Sequence, residues 1–351
     1  MKYIKAILFI LSFTMAFVFF SCEKGTEPEQ LKPGRRDYTW TADTLSSPMW
    51  HGSCIWGSSA SDVWVVGGDG SSTDRIWHYD GKKWEHNTTP IYAGDCVFGF
   101  GENDVWIGGS EGSIWHYDGN NWSEEFKYTK DGSFYGLYIL DIWGVDRNNL
   151  FAVGVDIYDN TERGFILKYD GSEWKEVYYA DYNSMFYKIR SQNKSKSKYY
   201  IWEFKMSTPT GNDTTAILKY ENNKTTEIYS KPIAKLLNSG TGMALINDNI
   251  YIGSGKNFYN IVDDKLINFF TFDDLNSFGA ISAGRNSNDL ILAMSDGFVH
   301  YNGKDIKYLF YLNNDNIHPT YGGVITDDTI FLLVGMFPTI VYKGVLNNNG
   351  G

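Results

Sequence analysis

Between Ile55 and Trp122 the chain carries one pattern twice. The first copy runs Ile55-Trp56-Gly57, then Asp62-Val63-Trp64-Val65-Val66-Gly67-Gly68, then Ile76-Trp77-His78-Tyr79-Asp80-Gly81-Lys82-Lys83-Trp84. The second runs Val97-Phe98-Gly99, Asn103-Asp104-Val105-Trp106-Ile107-Gly108-Gly109, then Ile114-Trp115-His116-Tyr117-Asp118-Gly119-Asn120-Asn121-Trp122. Such a repeat restricts the possible folds more than any single motif, because each short unit must bury its apolar faces against the next copy.

Within a unit, the β-branched and aromatic residues from Asp62 to Val66 suit a strand buried on both faces, and the paired glycines end it. The Asp-Gly pair between Tyr79 and Trp84 predicts a tight type I′ hairpin with both central residues at positive φ. The same signal recurs at Tyr169-Asp170-Gly171 with Trp174 and at Tyr301-Asn302-Gly303, with a weaker form at Tyr220-Glu221-Asn222-Asn223. A period of roughly forty residues in short alternating segments specifies the four-stranded blades of a β-propeller.

A third copy holds Ile142-Trp143-Gly144, Asn149 to Gly154 and Phe165 to Gly171, after which the pattern decays. Later units keep Tyr200-Ile201-Trp202, Asp248 to Gly253, Asn288 to Ala293 and Thr329 to Gly335, giving seven blades in an all-β chain. The last unit ends one strand short. Tyr38 to Thr44 alternates correctly and is expected to supply the missing outer strand and close the ring, which removes inner edges. Aromatics make up 17% of the chain, and long helical periodicity is lacking, which agrees with this reading.

The N-terminus carries separate information. Met1 to Lys5 is basic, Ala6 to Phe20 is apolar, and Ser21-Cys22 follows. This reads as a secretory signal over residues 1–21, too short for a spanning helix. A small residue directly before a cysteine resembles the lipobox of bacterial lipoproteins, although Phe19 stands where leucine is usual. The resemblance implies cleavage before Cys22 and attachment of lipids there, anchoring the protein to a membrane. Residues 22–36 then form a polar tether, 37–346 the propeller and 347–351 a disordered tail. Glu23, Glu27 and Glu29 resemble surface-export signals of some Gram-negative lipoproteins, leaving the outer surface and the periplasmic face of the outer membrane both open.

The formal charge is −11. The main basic cluster, Lys194-Ser195-Lys196-Ser197-Lys198, falls between strands of the fourth unit and reads as a solvated turn, so nucleic acid is not an expected partner. Cys54 and Cys96 occupy equivalent places and belong on the innermost strands of adjacent blades. They read as two buried thiols, with a disulfide as the alternative. Asp62, Asp104, Asp248 and Asp289 recur where the second strand begins and are read as backbone caps. His78, His116 and His300 recur before the hairpin tyrosine and are read as structural. His51, His86 and His318 form no ligand set, so neither a metal nor another cofactor is implied.

The units with Trp-Gly, Asp-Val-Trp, Gly-Gly and Tyr-Asp-Gly-x-x-Trp resemble kelch repeats and, more closely, bacterial secreted propeller repeats grouped with Asp-box-like and photosystem-assembly-factor-like propellers. The resemblance covers Trp50 to Trp174 and implies a fold and a scaffold, with no reaction. Function is therefore expected where the pattern breaks, in loops gathered at one mouth of the channel. The candidates for ligand binding are Tyr128, Asp131, Phe134, Tyr135 and Tyr138 before the third unit, and Tyr179, Asp181 and Tyr182 before the fourth, since exposed aromatics beside acids stack on sugars or anchor a protein. Asp69, Asp74, Arg75, Asp156 and Asp159 are further candidates at that mouth. The leading expectation is a non-catalytic, lipid-anchored envelope propeller binding a protein or glycan. The alternatives are a glycan hydrolase or lyase with residues drawn from several blades, and a structural subunit of an outer-membrane complex. The sequence leaves the oligomeric state open.

Overall fold

The computed structural model describes residues 32–45, 52–68, 75–158, 161–206, 213–232, 241–254, 256–271, 280–294, 296–312, 320–335 and 338–347. The signal segment, Cys22, the tether before residue 32, the tail from residue 348, His51, Asp69, Asp74, Asp159 and His318 lie outside the described residues.

The chain opens with β1 (Tyr38–Leu45). Blade 1 is β2 (Gly52–Ser59), β3 (Asp62–Gly67), β4 (Ile76–Tyr79) and β5 (Trp84–Asn87). Blade 2 is β6 (Gly94–Gly101), β7 (Asp104–Gly109), β8 (Ser113–Tyr117) and β9 (Trp122–Lys127). Blade 3 is β10 (Leu137–Asp146), β11 (Asn149–Tyr158), β12 (Thr161–Tyr169) and β13 (Trp174–Tyr179). Blade 4 is β14 (Ser184–Arg190), β15 (Lys198–Lys205), β16 (Thr214–Glu221) and β17 (Lys224–Pro232). Blade 5 is β18 (Thr241–Ile246), β19 (Asn249–Ser254), β20 (Asn257–Val262) and β21 (Lys265–Thr271). Blade 6 is β22 (Ala280–Asn286), β23 (Asp289–Met294), β24 (Gly297–Tyr301) and β25 (Ile306–Tyr311). The last strands are β26 (Thr320–Ile325), β27 (Thr329–Gly335) and β28 (Thr339–Leu346).

Each blade is an antiparallel sheet in sequence order, and the seventh has the order β1-β28-β27-β26. Tyr38 to Leu45 pairs residue by residue with Leu346 to Thr339. The N-terminal strand thus closes a seven-bladed ring, as the missing last strand predicts. The first strand of each blade touches the first strand of the next, and β26 touches β2. These are therefore the strands that face the axis.

The core sits between blades. Side chains alternate across a strand, so β3 sends Val63 and Val65 to a cluster with Phe331, Leu333 and Val341 of blade 7, and Trp64 and Val66 to one with Val97, Val105 and Ile107 of blade 2. The repeated Tyr and Trp complete the same joints: Tyr117 and Trp122 lie 5.3 and 5.6 Å from Trp64, and Tyr169 and Trp174 lie 5.4 and 5.9 Å from Trp106.

Two sequence expectations change. Asp80-Gly81 does not form a type I′ turn, because Tyr79 pairs with Trp84 across a four-residue loop and only Gly81 has positive φ, at +92°. The Asp80 carboxylate instead accepts the amides of Lys82 and Lys83 at 2.8 and 2.9 Å, and Asp118 does the same for Asn120 and Asn121. This local capping holds the aspartate at negative φ. Two-residue turns with positive φ at both positions occur instead at places such as Asn222-Asn223, Asn247-Asp248 and Asp263-Asp264.

The other change concerns the repeated aspartates. Asp62 Oδ1 accepts Trp64 Nε1 at 2.8 Å and lies 2.7 Å from His78 Nε2, and the Trp64 and His78 rings stack at 3.9 Å. Asp104 repeats this with Trp106 at 2.9 Å and His116 at 2.8 Å, and its other oxygen takes Arg147 of blade 3. Asp289 pairs with His300 at 2.8 Å and with Arg285 at 2.9 Å, and Arg285 also reaches the Tyr38 hydroxyl. These carboxylates are structural, but they clamp side chains rather than backbone. Asp248 belongs to a tight turn and is exposed.

Candidate functional site

Blade 3 has the longest second and third strands of the seven blades. Its middle strands β11 and β12 are ten and nine residues long, against six and five for β7 and β8 of blade 2, so their hairpin projects further. In an antiparallel blade the turn from second to third strand shares an end with the link to the next blade. The 128–136 link and the β11–β12 hairpin therefore meet on one face.

Backbone chemistry fixes the link. Asp131 and Gly132, at φ +51° and +79°, form a two-residue turn in which Lys130 and Ser133 exchange amide hydrogen bonds of 2.8 and 2.9 Å. Gly136 has φ +79°, its carbonyl accepts Ile157 N at 2.8 Å, and a Cβ there would lie 2.1 Å from Ile157 O. Only glycine lets the link lie this close to the hairpin.

Between them lies a groove of about 240 Å³ lined by Lys130, Asp131, Ser133, Tyr135, Asp156, Tyr158, Thr161, Arg163 and Tyr179. Tyr135 and Tyr158 form its lips and are 73% and 68% exposed. Behind Tyr135, Phe134 stacks at 4.8 Å with the Lys127 ammonium 4.2 Å from its ring. On the floor, the Tyr179 hydroxyl donates to Asp156 Oδ2 at 2.7 Å, and Lys130 Nζ sits 3.9 Å from the Tyr179 ring and 2.8 Å from Glu176. Burial, reinforced by the hydrogen bond to Asp156, raises the Tyr179 pKa, so the hydroxyl stays protonated and donates. Arg163 stands opposite Asp156 in the strand register. Its Nη1 is buried without a hydrogen-bond partner, leaving a donor that an incoming acceptor would satisfy.

Of the residues singled out in the sequence, Asp131, Tyr135, Asp156 and Tyr179 meet in this groove, with Phe134 supporting its lip. Tyr128 is buried, with its ring 4.8 Å from Phe165 and its hydroxyl on Glu176, so it braces the wall from within. Tyr138 is half-buried on β10 and bridges to Ser110. Asp181 is exposed in the link to blade 4, and Tyr182 packs against blade 4 with the Lys205 ammonium 5.4 Å from its ring. Arg75 is buried under the next link, donating to Ile91 O. Cys54 and Cys96 lie on β2 and β6 as free thiols. Lys130, Ser133, Tyr158, Thr161 and Arg163 escaped the sequence reading. The signal for Tyr158, Thr161 and Arg163 is the extra length between Gly154 and Phe165 relative to Gly109 and Ile114, while Lys130 and Ser133 sit in the irregular link between Lys127 and Tyr138.

No protein-family model and no curated protein sequence matches the chain. Solved structures do. Selenomethionine-substituted virginiamycin B lyase from Staphylococcus aureus superposes with a TM-score of 0.63 at 16% identity, covering 88% of this chain and 100% of that one. YCF48 bound to D1 peptide gives 0.56 at 16% identity over 92% and 100%, and BBS1N in complex with ARL6DN gives 0.59 at 11% identity over 91% and 99%. At such identities the likeness shows the fold alone: the chain is a β-propeller, and its function has to be argued from its own surface.

Proposed function

We propose that the protein is a lipid-anchored cell-envelope propeller that acts as a non-catalytic scaffold, engaging a protein or glycan through the groove over blade 3. The observation that carries this reading is the pair of exposed rings, Tyr135 and Tyr158, above the unpaired Arg163 donor. Large exposed aromatics beside an unsatisfied buried donor suit an anchor residue or a single sugar ring. The groove is smaller than the several hundred Å³ usual for a whole small ligand, which favours one anchoring group of a larger partner. The neighbours captured with a peptide or with ARL6DN support a protein partner.

The direction of the tether also supports display. Gly34 N donates to Asn288 O at 3.0 Å, and Arg36 pairs with Asp305. Asn288 and Asp305 lie in the first-to-second and third-to-fourth strand turns of blade 6, on the face opposite the groove. The chain therefore enters the propeller on the face opposite the groove, which suits a lipid anchor upstream of it.

The test uses the full chain and the Tyr135→Ala/Tyr158→Ala variant on a glycan array and in pull-downs from the membrane fraction. Because both rings are exposed, the variant should melt with the parent yet bind at least about tenfold more weakly, the scale of a lost aromatic anchor. An unchanged capture profile would reject the groove. A mature chain that carries no fatty acyl group on Cys22 by mass spectrometry would reject the anchor.

A further inference from the structure

The channel along the propeller axis encloses about 440 Å³, within the size range of small-ligand sites, and its wall is divided in composition. By strand register, Cys54 faces Val66, Cys96 faces Gly108, Asp141 faces Val153 and Lys188 faces Trp202, each just past a bulge in its strand. These are equivalent positions of blades 1 to 4, so the repeat's neutral thiol is replaced by an acid and then a base. Two residues further on, the equivalent positions hold Trp56, Phe98, Trp143 and Arg190. The three rings form an arc, with Phe98 6.4 Å from Trp56 and 6.5 Å from Trp143, and Arg190 continues it. Blades 5 to 7 complete the wall with small or apolar residues such as Met243, Ile281, Ala283 and Val324.

Asp141 is 3% exposed and accepts Lys188 Nζ at 3.1 Å, Ile189 N at 3.0 Å and Arg190 Nη1. Among the described residues lining the channel it is the single acid, facing two bases. One positive charge is left over within a protein of net charge −11. Burial is the strongest influence on the Lys188 ammonium and works against it, but Asp141, helped by the neighbouring Cys54 and Cys96 sulfurs, more than offsets it and raises the pKa, so the excess charge persists at neutral pH. A partly desolvated cation without a counter-charge is costly, and a bound anion offsets that cost through charge-assisted hydrogen bonds.

We propose that the channel binds a small aromatic organic anion, with its ring on the Trp56, Phe98 and Trp143 arc and its anionic group on Lys188 and Arg190. This site is separate from the groove over blade 3 and does not depend on it.

The experiment titrates the full chain, purified in detergent, with 2-naphthoate, its neutral isostere 2-naphthamide and the cation 2-naphthylmethylammonium, by calorimetry and tryptophan quenching. Naphthoate should bind at least about tenfold more tightly than the amide, the scale of one charge-assisted hydrogen bond. The cation should bind weakest, and the preference should shrink as salt rises from about 50 to about 500 mM. Lys188→Met should abolish the preference while leaving amide affinity in place, and Phe98→Leu should weaken acid and amide alike. Equal affinity for acid and amide, no binding of any probe, or a charge preference that survives Lys188→Met would each overturn the proposal. Loss of naphthoate binding in the Tyr135→Ala/Tyr158→Ala variant would also overturn it, by moving the site to the groove. The comparison of the three probes on the wild-type chain decides the matter even where a channel variant folds poorly.

Discussion

Asp104→Ala tests the argument that the repeated aspartates are side-chain clamps. The carboxylate is 3% exposed and holds the indole N–H of Trp106, itself 3% exposed, together with His116 and Arg147. Stranding a buried indole donor costs about 1–3 kcal/mol, and losing the hydrogen bond between a carboxylate and His116 about 1.5–3 kcal/mol. Arg147 is 68% exposed, so its ion pair adds about 0–1 kcal/mol. These terms overlap and relieve the burial of the carboxylate itself, so the net loss should be about 3–5 kcal/mol. With an unfolding entropy of about 2.1 cal/mol/K per residue, a propeller of this size should melt about 5–7 °C lower. Urea denaturation followed by tryptophan fluorescence, with calorimetry for the melting temperature, measures both. Combining Asp104→Ala with Trp106→Phe in a double-mutant cycle should give a coupling of about 1–2 kcal/mol. A single variant within about 0.5 kcal/mol of wild type, or a coupling of zero, would refute the clamp and restore the simpler view of a surface cap.

Acid should act on the same clamps. Burial alone would raise the pKa of Asp62 and of Asp289, but hydrogen bonds from His78 and Ser58 in one case, and from His300 and Arg285 in the other, lower both. A folded-state pKa below the unfolded one gives stability that is present above about pH 4 and lost as the pH falls through the folded value. The urea midpoint of Asp62→Asn should therefore vary less than that of wild type between about pH 5 and 3, and parallel curves would contradict this. Deleting Tyr38 to Leu45 removes two buried side chains, Tyr38 and Leu45, and the partner of β28. Burial of the two side chains alone contributes about 3–6 kcal/mol, so the truncated chain should unfold well below the parent or aggregate through the bared edge. Coincident melting curves would refute ring closure. Gly136→Ala introduces a Cβ 2.1 Å from Ile157 O at φ +79° and should cost about 1–3 kcal/mol. It should also open the groove, which amide exchange at Ile157 would report, and unchanged protection there would show that the link does not rest on the hairpin.

The blade construction is legible in the chain because its physics is local. Val63, Trp64, Val65 and Val66 alternate between two interfaces, and any strand with that pattern needs a neighbour on each side. The closing role of Tyr38 to Thr44 follows from counting strands. Turn geometry was less accessible: Asp80-Gly81 and Asn222-Asn223 look like stronger and weaker forms of one signal, yet the carboxylate of Asp80 caps the following amides and selects a different loop.

The sites depend on residues far apart in sequence. Tyr135 and Asp131 draw attention as a break in the repeat, but Arg163 and Tyr158 become partners only when the long hairpin of blade 3 stands beside the link. Tyr128 and Tyr182 are equally aromatic and equally irregular, and folding turns both toward packing. Asp141 precedes Lys188 by 47 residues and Arg190 by 49, and none of them attracts notice singly, but neighbouring inner strands bring the acid and the two bases together at the axis. Sequence alone determined that the chain builds blades and closes them into a ring, since hydrophobic alternation and turn chemistry act over a few residues. Only the tertiary structure decided which side chains share a cavity and which charges go uncompensated, because those depend on how separate blades meet in space.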